Sequence, residues 1–214
     1  MDGCGRLRSG WRTIRSVEKG VEKGTAVHVF LETTRLVLRR FTEDDVENLV
    51  LLHSDPEVMR FLTGEPTPRA EIENEVLPGI LHDYRRGREG RWAAVERSTG
   101  EFLGRFALQP PEDGRADERE LGYRLKSSAW GRGYATEGSL ALIRKAFTEL
   151  GTQRVWAQTM AVNTASRRVL ERAGLKYVRT FHLHFDDPLP GTEQGEVEYE
   201  LQRSDWYQPH PQAR

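Results

Sequence analysis

Short apolar runs and helically spaced stretches alternate along the chain from Arg35 onward, and their order predicts the elements. Leu36, Val37, Leu38 and Phe41 in RLVLRRF read as a strand. Thr42 follows as an N-cap with Asp45 three residues on, opening a helix through Val46, Leu49, Val50 and His53. Asp55-Pro56 starts a short helical piece reaching Phe61, and residues 68–86 read as a third helix interrupted near Pro78-Gly79. Residues 92–97, the turn STGE and residues 102–108 make a hairpin, and a loop over 109–117 leads to the strand ERELGYRL, ending at Leu125. A long helix is predicted over 134–150, with Leu140, Ile143, Phe147 and Leu150 at helical spacing and Gly151 as its stop. A strand over 154–159, a helix over 163–173 stopped by Gly174, and strands over 176–185 and 195–203 complete the order. That order predicts an α+β (mixed α/β) domain on one central sheet, with Trp92, Trp156, Phe102 and Phe106 in its core.

Composition narrows the class. A chain of 214 residues buries roughly 70% of the surface its unfolded form exposes, so it needs no disulfide or metal staple. Lys plus Arg number 32 against 33 for Asp plus Glu, a net charge of -1, which argues against a nucleic-acid partner. The single Cys4 excludes an intramolecular disulfide and a Cys-rich zinc site. No apolar run approaches the ~18 residues of a membrane span, and the first residues lack the apolar core of a secretory signal, so a cytoplasmic location with no membrane partner is expected. Residues 1–31 carry Arg6, Arg8, Arg12, Arg15, Lys19 and Lys23 with a tandem VEKG, and are expected to be a disordered basic extension. The domain is placed at 32–207 and a flexible tail at 208–214.

The chemistry concentrates where the strand ending at Leu125 meets the helix beginning at Tyr134. A glycine-rich turn there, Trp130-Gly131-Arg132-Gly133, exposes backbone N–H groups at the positive end of a helix dipole, which makes an anion site. Arg132 is expected to add a charge-assisted contact. The P-loop pattern is absent, and the dinucleotide fingerprint fails because Thr136 stands at its third glycine position.

Three ordered runs carry a resemblance: Glu120-Leu-Gly-Tyr-Arg-Leu125, then Trp130-Gly-Arg-Gly-Tyr-Ala-Thr-Glu137, then Asn163-Thr-Ala-Ser166-Arg-Arg-Val-Leu-Glu171-Arg-Ala-Gly174-Leu175. Together they resemble the GNAT family of acetyl-CoA-dependent N-acetyltransferases, and within it the branch of the ribosomal-protein N-terminal acetyltransferases (RimJ/RimL-like), over about residues 32–206. The resemblance implies the GNAT fold, a mixed, mostly antiparallel sheet flanked by helices. It implies acetyl transfer from acetyl-CoA to a primary amine, either a protein N-terminal α-amino group or a small-molecule amine, by a monomer or homodimer and without a metal. A non-catalytic CoA-binding sensor or structural protein of the same fold is the alternative.

The same resemblance implies the site residues. Backbone N–H groups of Gly131, Arg132, Gly133, Tyr134, Ala135 and Thr136 would hold the pyrophosphate, although Trp130 stands where Gln or Arg is usual. The strand through Leu121, Gly122 and Tyr123 would pair with the pantetheine arm, an N–H near Leu121 or Gly122 polarising the thioester carbonyl. Glu120 is the implied base, with Glu118 and the pair His182 and His184 as alternates; Tyr123 and Tyr134 are also compatible with packing alone. Leu170 occupies the place of the usual proton-donating tyrosine, leaving Ser166 as the substitute, while Asn163 is expected both to cap its helix and to touch pantetheine.

Charge is distributed unevenly. Residues 163–179 carry five basic residues against one acid, residues 42–57 six acids and no Lys or Arg, and residues 186–205 seven acids and one Arg. A basic cofactor side facing an acidic acceptor side is therefore expected, which would favour cationic amines.

Overall fold

The computed structural model describes residues 27–88, 90–111 and 115–206. Its strands are β1 (Val29–Glu32), β2 (Leu36–Arg39), β3 (Arg91–Glu96), β4 (Phe102–Gln109), β5 (Glu118–Leu125), β6 (Arg154–Met160), β7 (Lys176–Phe181) and β8 (Glu196–Gln202). They form one sheet in the order β1-β2-β3-β4-β5-β6-β8-β7, antiparallel at every junction except the parallel β5–β6 pair.

Strand alternation sends side chains to two helical layers. On one face Ala93 and Phe102 pack with Phe41, Leu49, Leu52 and Ile80, beneath α1 (Val46–His53), α2 (Pro56–Met59), α3 (Arg69–Glu71) and α4 (Leu77–Arg85). On the other, Phe106, Leu121 and Val155 meet Leu142 and Phe147 of α5 (Tyr134–Thr148) and Leu170 of α6 (Thr164–Arg172). A short α7 (Arg203–Trp206) ends the described chain. Parallel strands cannot be joined by a hairpin, and α5 supplies the crossover from β5 to β6. Among the described residues no helix is long and apolar enough to cross a membrane.

The fold departs from the pattern-based expectations at particular places. β1 lies mostly within the expected extension: Val29 pairs with Arg39, and Phe30 stacks on the buried Trp92 with ring centroids 4.0 Å apart. The expectations for residues 1–26 and 207–214 lie outside the described residues. The break near Pro78-Gly79 appears instead as a π-helical stretch, Ile72–Val76, where the Leu77 N–H reaches back to Ile72. That wide turn leaves Pro78 in the first turn of α4, where its missing N–H and its ring are tolerated. On α5 the buried stripe runs through Ser139, Leu142, Ile143, Ala146 and Phe147, so Leu140 points off it and is 47% exposed, and Leu150 lies past the helix end. β7 stops at Phe181, leaving His182 and His184 exposed beyond it. Trp156 is half-buried rather than core.

Asp45 does more than cap. It accepts the Thr42 N–H at 2.8 Å and a bidentate pair of bonds from Arg39, both at 2.7 Å, while 2% exposed. A second ion cluster fixes the sheet centre. Arg154 on β6 donates to Glu118 on β5 at 2.8 Å and to Glu198 and Glu200 on β8 at 2.5 and 2.7 Å. Burial raises the Glu118 carboxyl, but the Arg154 and Arg115 hydrogen bonds outweigh it and hold the group below the usual carboxylate range.

Replacing this hub (Arg154→Met) leaves three carboxylates without their shared cation, at a cost of about 3 kcal/mol. Because Glu118 is depressed in the folded state, its contribution is present above the ordinary carboxylate pKa and lost as pH falls through the folded value. Urea unfolding at pH 7 and pH 3 should therefore show a large deficit for the variant at pH 7 that shrinks at pH 3. An equal deficit at both would exclude the hub from the stability of this junction.

Candidate active site

The β5–β6 register begins at Glu118 with Arg154 and ends at Glu120 with Trp156, although β5 continues to Leu125 and β6 to Met160. Beyond Glu120 the strands splay, and a cavity of about 730 Å³ opens between them. Antiparallel ladders alternate bonded and non-bonded pairs. The bond from Lys126 N–H to Leu103 O sets the phase, so Gly122 bonds to β4, the Leu121 N–H closes the last β5–β6 pairing at Trp156, and the N–H groups of Tyr123 and Leu125 point into the gap. The splay thus leaves a free strand edge for an extended ligand.

The glycine-rich turn closes one end. Gly131 and Gly133 have φ of +71° and +83°, left-handed values that a side chain disfavours. Gly133 is also the N-cap of α5 and has no side chain to take the first N–H groups of the helix, which remain available to an anion. The turn is held from outside the runs that flagged it. Arg35 donates to Glu137 at 2.6 Å and to the Arg132 carbonyl at 2.9 Å, and Thr33 donates to Glu137 at 2.6 Å. The Trp130 indole N–H donates to Leu125 O at 2.9 Å, folding the turn back on the strand. Arg132 departs from expectation: its guanidinium lies 3.4 Å from Glu96 and outside the cavity wall. What the turn offers an anion is therefore backbone, and Arg168 and Arg172 of α6 add side-chain cations to the wall on this side. A free strand edge leading to a glycine turn at a helix start fits acetyl-CoA, the edge taking the arm and the turn taking the diphosphate.

On this face of β5 the Tyr123 hydroxyl meets Ser166 of α6, 3.0 Å from its Oγ and 3.1 Å from its carbonyl. Burial pushes the Tyr123 phenol up to about 12, with the Ser166 bond pulling the other way, so it stays a donor at neutral pH. The Asn163 Oδ1 accepts the Ser166 N–H at 3.1 Å, which is the cap, and its side chain also reaches the cavity wall. Leu170 is buried in the core. Tyr134 is buried too and donates its hydroxyl to Glu96.

The opposite face of β5 looks toward α1 and α2. Register partners share a face, so Gln109, Glu120 and Trp156 stand together there, as do Arg105 and Arg124. Glu120 lines the cavity where the splay begins; Glu118 does not, being held by Arg115 and Arg154. His182 and His184 are likewise absent from the wall. Composition alone had suggested an acidic wall here, and the structure corrects that. Asp45, Asp55, Glu198, Glu200 and Asp205 are engaged elsewhere, leaving Glu57 and Glu196 as the wall acids from the two acidic stretches. Glu196, opposite Met160 on β8, is pushed up by burial.

Arg105 and Arg124 escaped sequence reasoning. Burial, then the charge of Arg124, push Arg105 down to about 9; burial alone pushes Arg124 down to about 10. Both remain cationic at neutral pH. Arg124 Nη1 lies 2.9 Å from His53 Nε2, and His53 Nδ1 lies 3.2 Å from Thr67 Oγ1. Burial and then the two guanidiniums push His53 down to about 3, so its neutral ring accepts from Arg124 and donates to Thr67. A signal existed: in FLGRFAL, and in the LGYRL half of the strand it pairs with, an arginine interrupts otherwise small, apolar or aromatic positions.

A family model described as the acetyltransferase (GNAT) domain matches residues 35–176. The chain is 37% identical over 182 residues to FsC-acetyl coenzyme A-N(2)-transacetylase of Aspergillus fumigatus, covering 82% of this chain and 77% of that protein. Among solved structures, a GNAT-family acetyltransferase from Bacillus anthracis superposes with a TM-score of 0.68 at 20% identity, over 82% of this chain and 99% of that one. Spermidine N-acetyltransferase from Vibrio cholerae, solved with CoA and spermine, gives a TM-score of 0.68 at 16% identity, over 82% and 100%. The splayed β5–β6 edge, the glycine turn at the start of α5 and these likenesses agree: the chain belongs to the GNAT acetyltransferase family and is an enzyme that uses acetyl-CoA.

Proposed function

We propose that this enzyme acetylates a primary amine of a small molecule, with Glu120 as base and Tyr123, backed by Ser166, as donor to the leaving sulfur. One observation carries the reading. Glu120 and Tyr123 sit on opposite faces of the same splayed strand, Glu120 toward α1–α2 and Tyr123 toward α5–α6. The two proton sites therefore flank a thioester laid along the β5 edge. The Aspergillus fumigatus relative, named as an N(2)-transacetylase, supports a small-molecule nitrogen over a ribosomal-protein terminus.

The geometry translates into steps. An ammonium entering from the α1–α2 side gives one proton to Glu120, directly or through water, and becomes a nucleophile. Its nitrogen bonds the acetyl carbon while the Tyr123 N–H, the first one free on the β5 edge, stabilises charge growing on the carbonyl oxygen. The carbon–sulfur bond breaks as Tyr123 donates toward the sulfur. The second nitrogen proton, lost as the amide forms, replaces the one Tyr123 supplies, so the products are the N-acetyl amine, the CoA thiol and one released proton.

In a thiol-release assay, Glu120→Gln should lower kcat/KM for the amine by about 100-fold and remove the acidic limb of its pH profile, with the KM for acetyl-CoA kept. If Glu196→Gln does this while Glu120→Gln does not, the base is Glu196, whose carboxyl is raised by burial. Tyr123→Phe should cut kcat by about 10-fold or more and leave acetyl-CoA binding intact; an unchanged kcat removes it as donor. Gly133→Asp, which adds a Cβ at a left-handed φ and an anion at the helix start, should abolish CoA binding by calorimetry while the protein stays folded.

A further inference from the structure

Arg105 on β4 and Arg124 on β5 are directly opposite in an antiparallel register, both in the cavity wall on the α1–α2 face. Like charges so placed repel, and strands ordinarily avoid them. Neither has a carboxylate within ion-pair reach among the described residues, whereas Arg91 on the neighbouring β3 is matched by Asp83 at 3.3 Å. The polar company of Arg124 is a neutral acceptor, His53, with the Met59 sulfur at 3.6 Å, and its buried Nε has no partner. His53 is itself anchored by Thr67 and 4% exposed, so the Arg124 guanidinium is oriented without being neutralised. The fold thus holds two uncompensated cations side by side, facing the space the acceptor must occupy.

We infer that Arg105 and Arg124 form a subsite for a carboxylate on the acceptor, so that the substrate is an amine carrying a carboxylate a few bonds from the reacting nitrogen. The inference rests on the amine-acetylation reading above and narrows its substrate class. Two planar guanidinium forks on adjacent strands match the two oxygens of a carboxylate. Glu57, Glu120 and Glu196 line the same cavity, and they oppose a dianionic phosphate more strongly than a single carboxylate while welcoming the ammonium. A zwitterionic acceptor satisfies both signs of charge at once. A plain polyamine leaves the arginine pair unmatched.

Two experiments separate this inference from the reading it rests on. In the first, product-like ligands are titrated calorimetrically into the CoA-bound enzyme: the Nα-acetyl derivatives of glycine, leucine and lysine, each beside its methylamide. At least one carboxylate should bind ten-fold or more tightly than its methylamide, and the gap should close in both Arg105→Met and Arg124→Met. Equal binding of the two forms, binding of neither, or a gap that survives both substitutions overturns the inference. So does a loss of CoA affinity in the variants, which would give the pair to the donor instead. Removing one of two uncompensated cations should raise the thermal midpoint of each variant, a check that they fold. In the second, amino acids and their carboxamides are compared as acceptors in the thiol-release assay. Turnover of both forms at equal kcat/KM overturns the carboxylate subsite but leaves amine acetylation standing. Carboxylate-selective binding without thiol release from any amine keeps the subsite and overturns the acetylation reading.

Discussion

Everything at this site depends on a pairing that stops. β5 and β6 run parallel for a few residues and then part, and the parting creates both the cavity and the free strand edge along it. Two strands that diverge at one end must be held firmly at the other. Arg154 does this by reaching Glu118 on β5 and Glu198 and Glu200 on β8 from its place on β6. Side-chain ion pairs here complete a junction whose backbone ladder is too short to be secure alone. The β6–β8 pairing continues to Met160 and Glu196, so β6 leaves β5 as part of a stiff ribbon rather than as a loose end.

The cleft inherits two chemistries from strand alternation. Successive residues of β5 face opposite layers, so Glu120 and Tyr123 serve different sides of the gap without any loop having to position them. The α5–α6 side sets backbone and hydroxyl groups (the glycine turn, the Tyr123–Ser166 contact and the capped start of α6) beside the cations Arg168 and Arg172. On the α1–α2 side stand charged side chains. Asp55 joins the halves, because it caps α2 and accepts the Ser127 hydroxyl at 2.5 Å, seating α2 over the end of β5.

Local order was legible where it follows from local chemistry. The hairpin of β3 and β4, the glycine turn and the capped α6 all appear where turn and cap residues put them. β1 was not legible, because the strand is short and the aromatic contact that seats it, Phe30 on Trp92, joins residues far apart along the chain. Nor was the π-helical stretch, whose wide turn lies upstream of the proline that needs it. At the site, the glycine turn and Glu120 could be placed from the resemblance, whereas the clamp by Arg35 and Glu137 joins residues 102 apart. Arg105 and Arg124 are separated by the whole β4–β5 connection, and only the register shows that they face each other.

Summed charge misled for a related reason. Acidic stretches flank the expected acceptor side in sequence, yet their carboxylates are largely consumed by local partners: Arg39 takes Asp45, Arg69 takes Glu47, and Arg154 and Arg179 share Glu198. An exposed pair such as Arg69–Glu47 is worth little by itself, but exposed and buried pairs alike cancel the field that a count of acids would suggest. What a ligand in the cleft meets is the remainder after local pairing. That remainder includes two guanidiniums with no carboxylate and Glu57 and Glu196 in the same wall. Selectivity in such a cleft follows from charges that folding leaves unmatched, and those are visible only once every matched pair has been struck out.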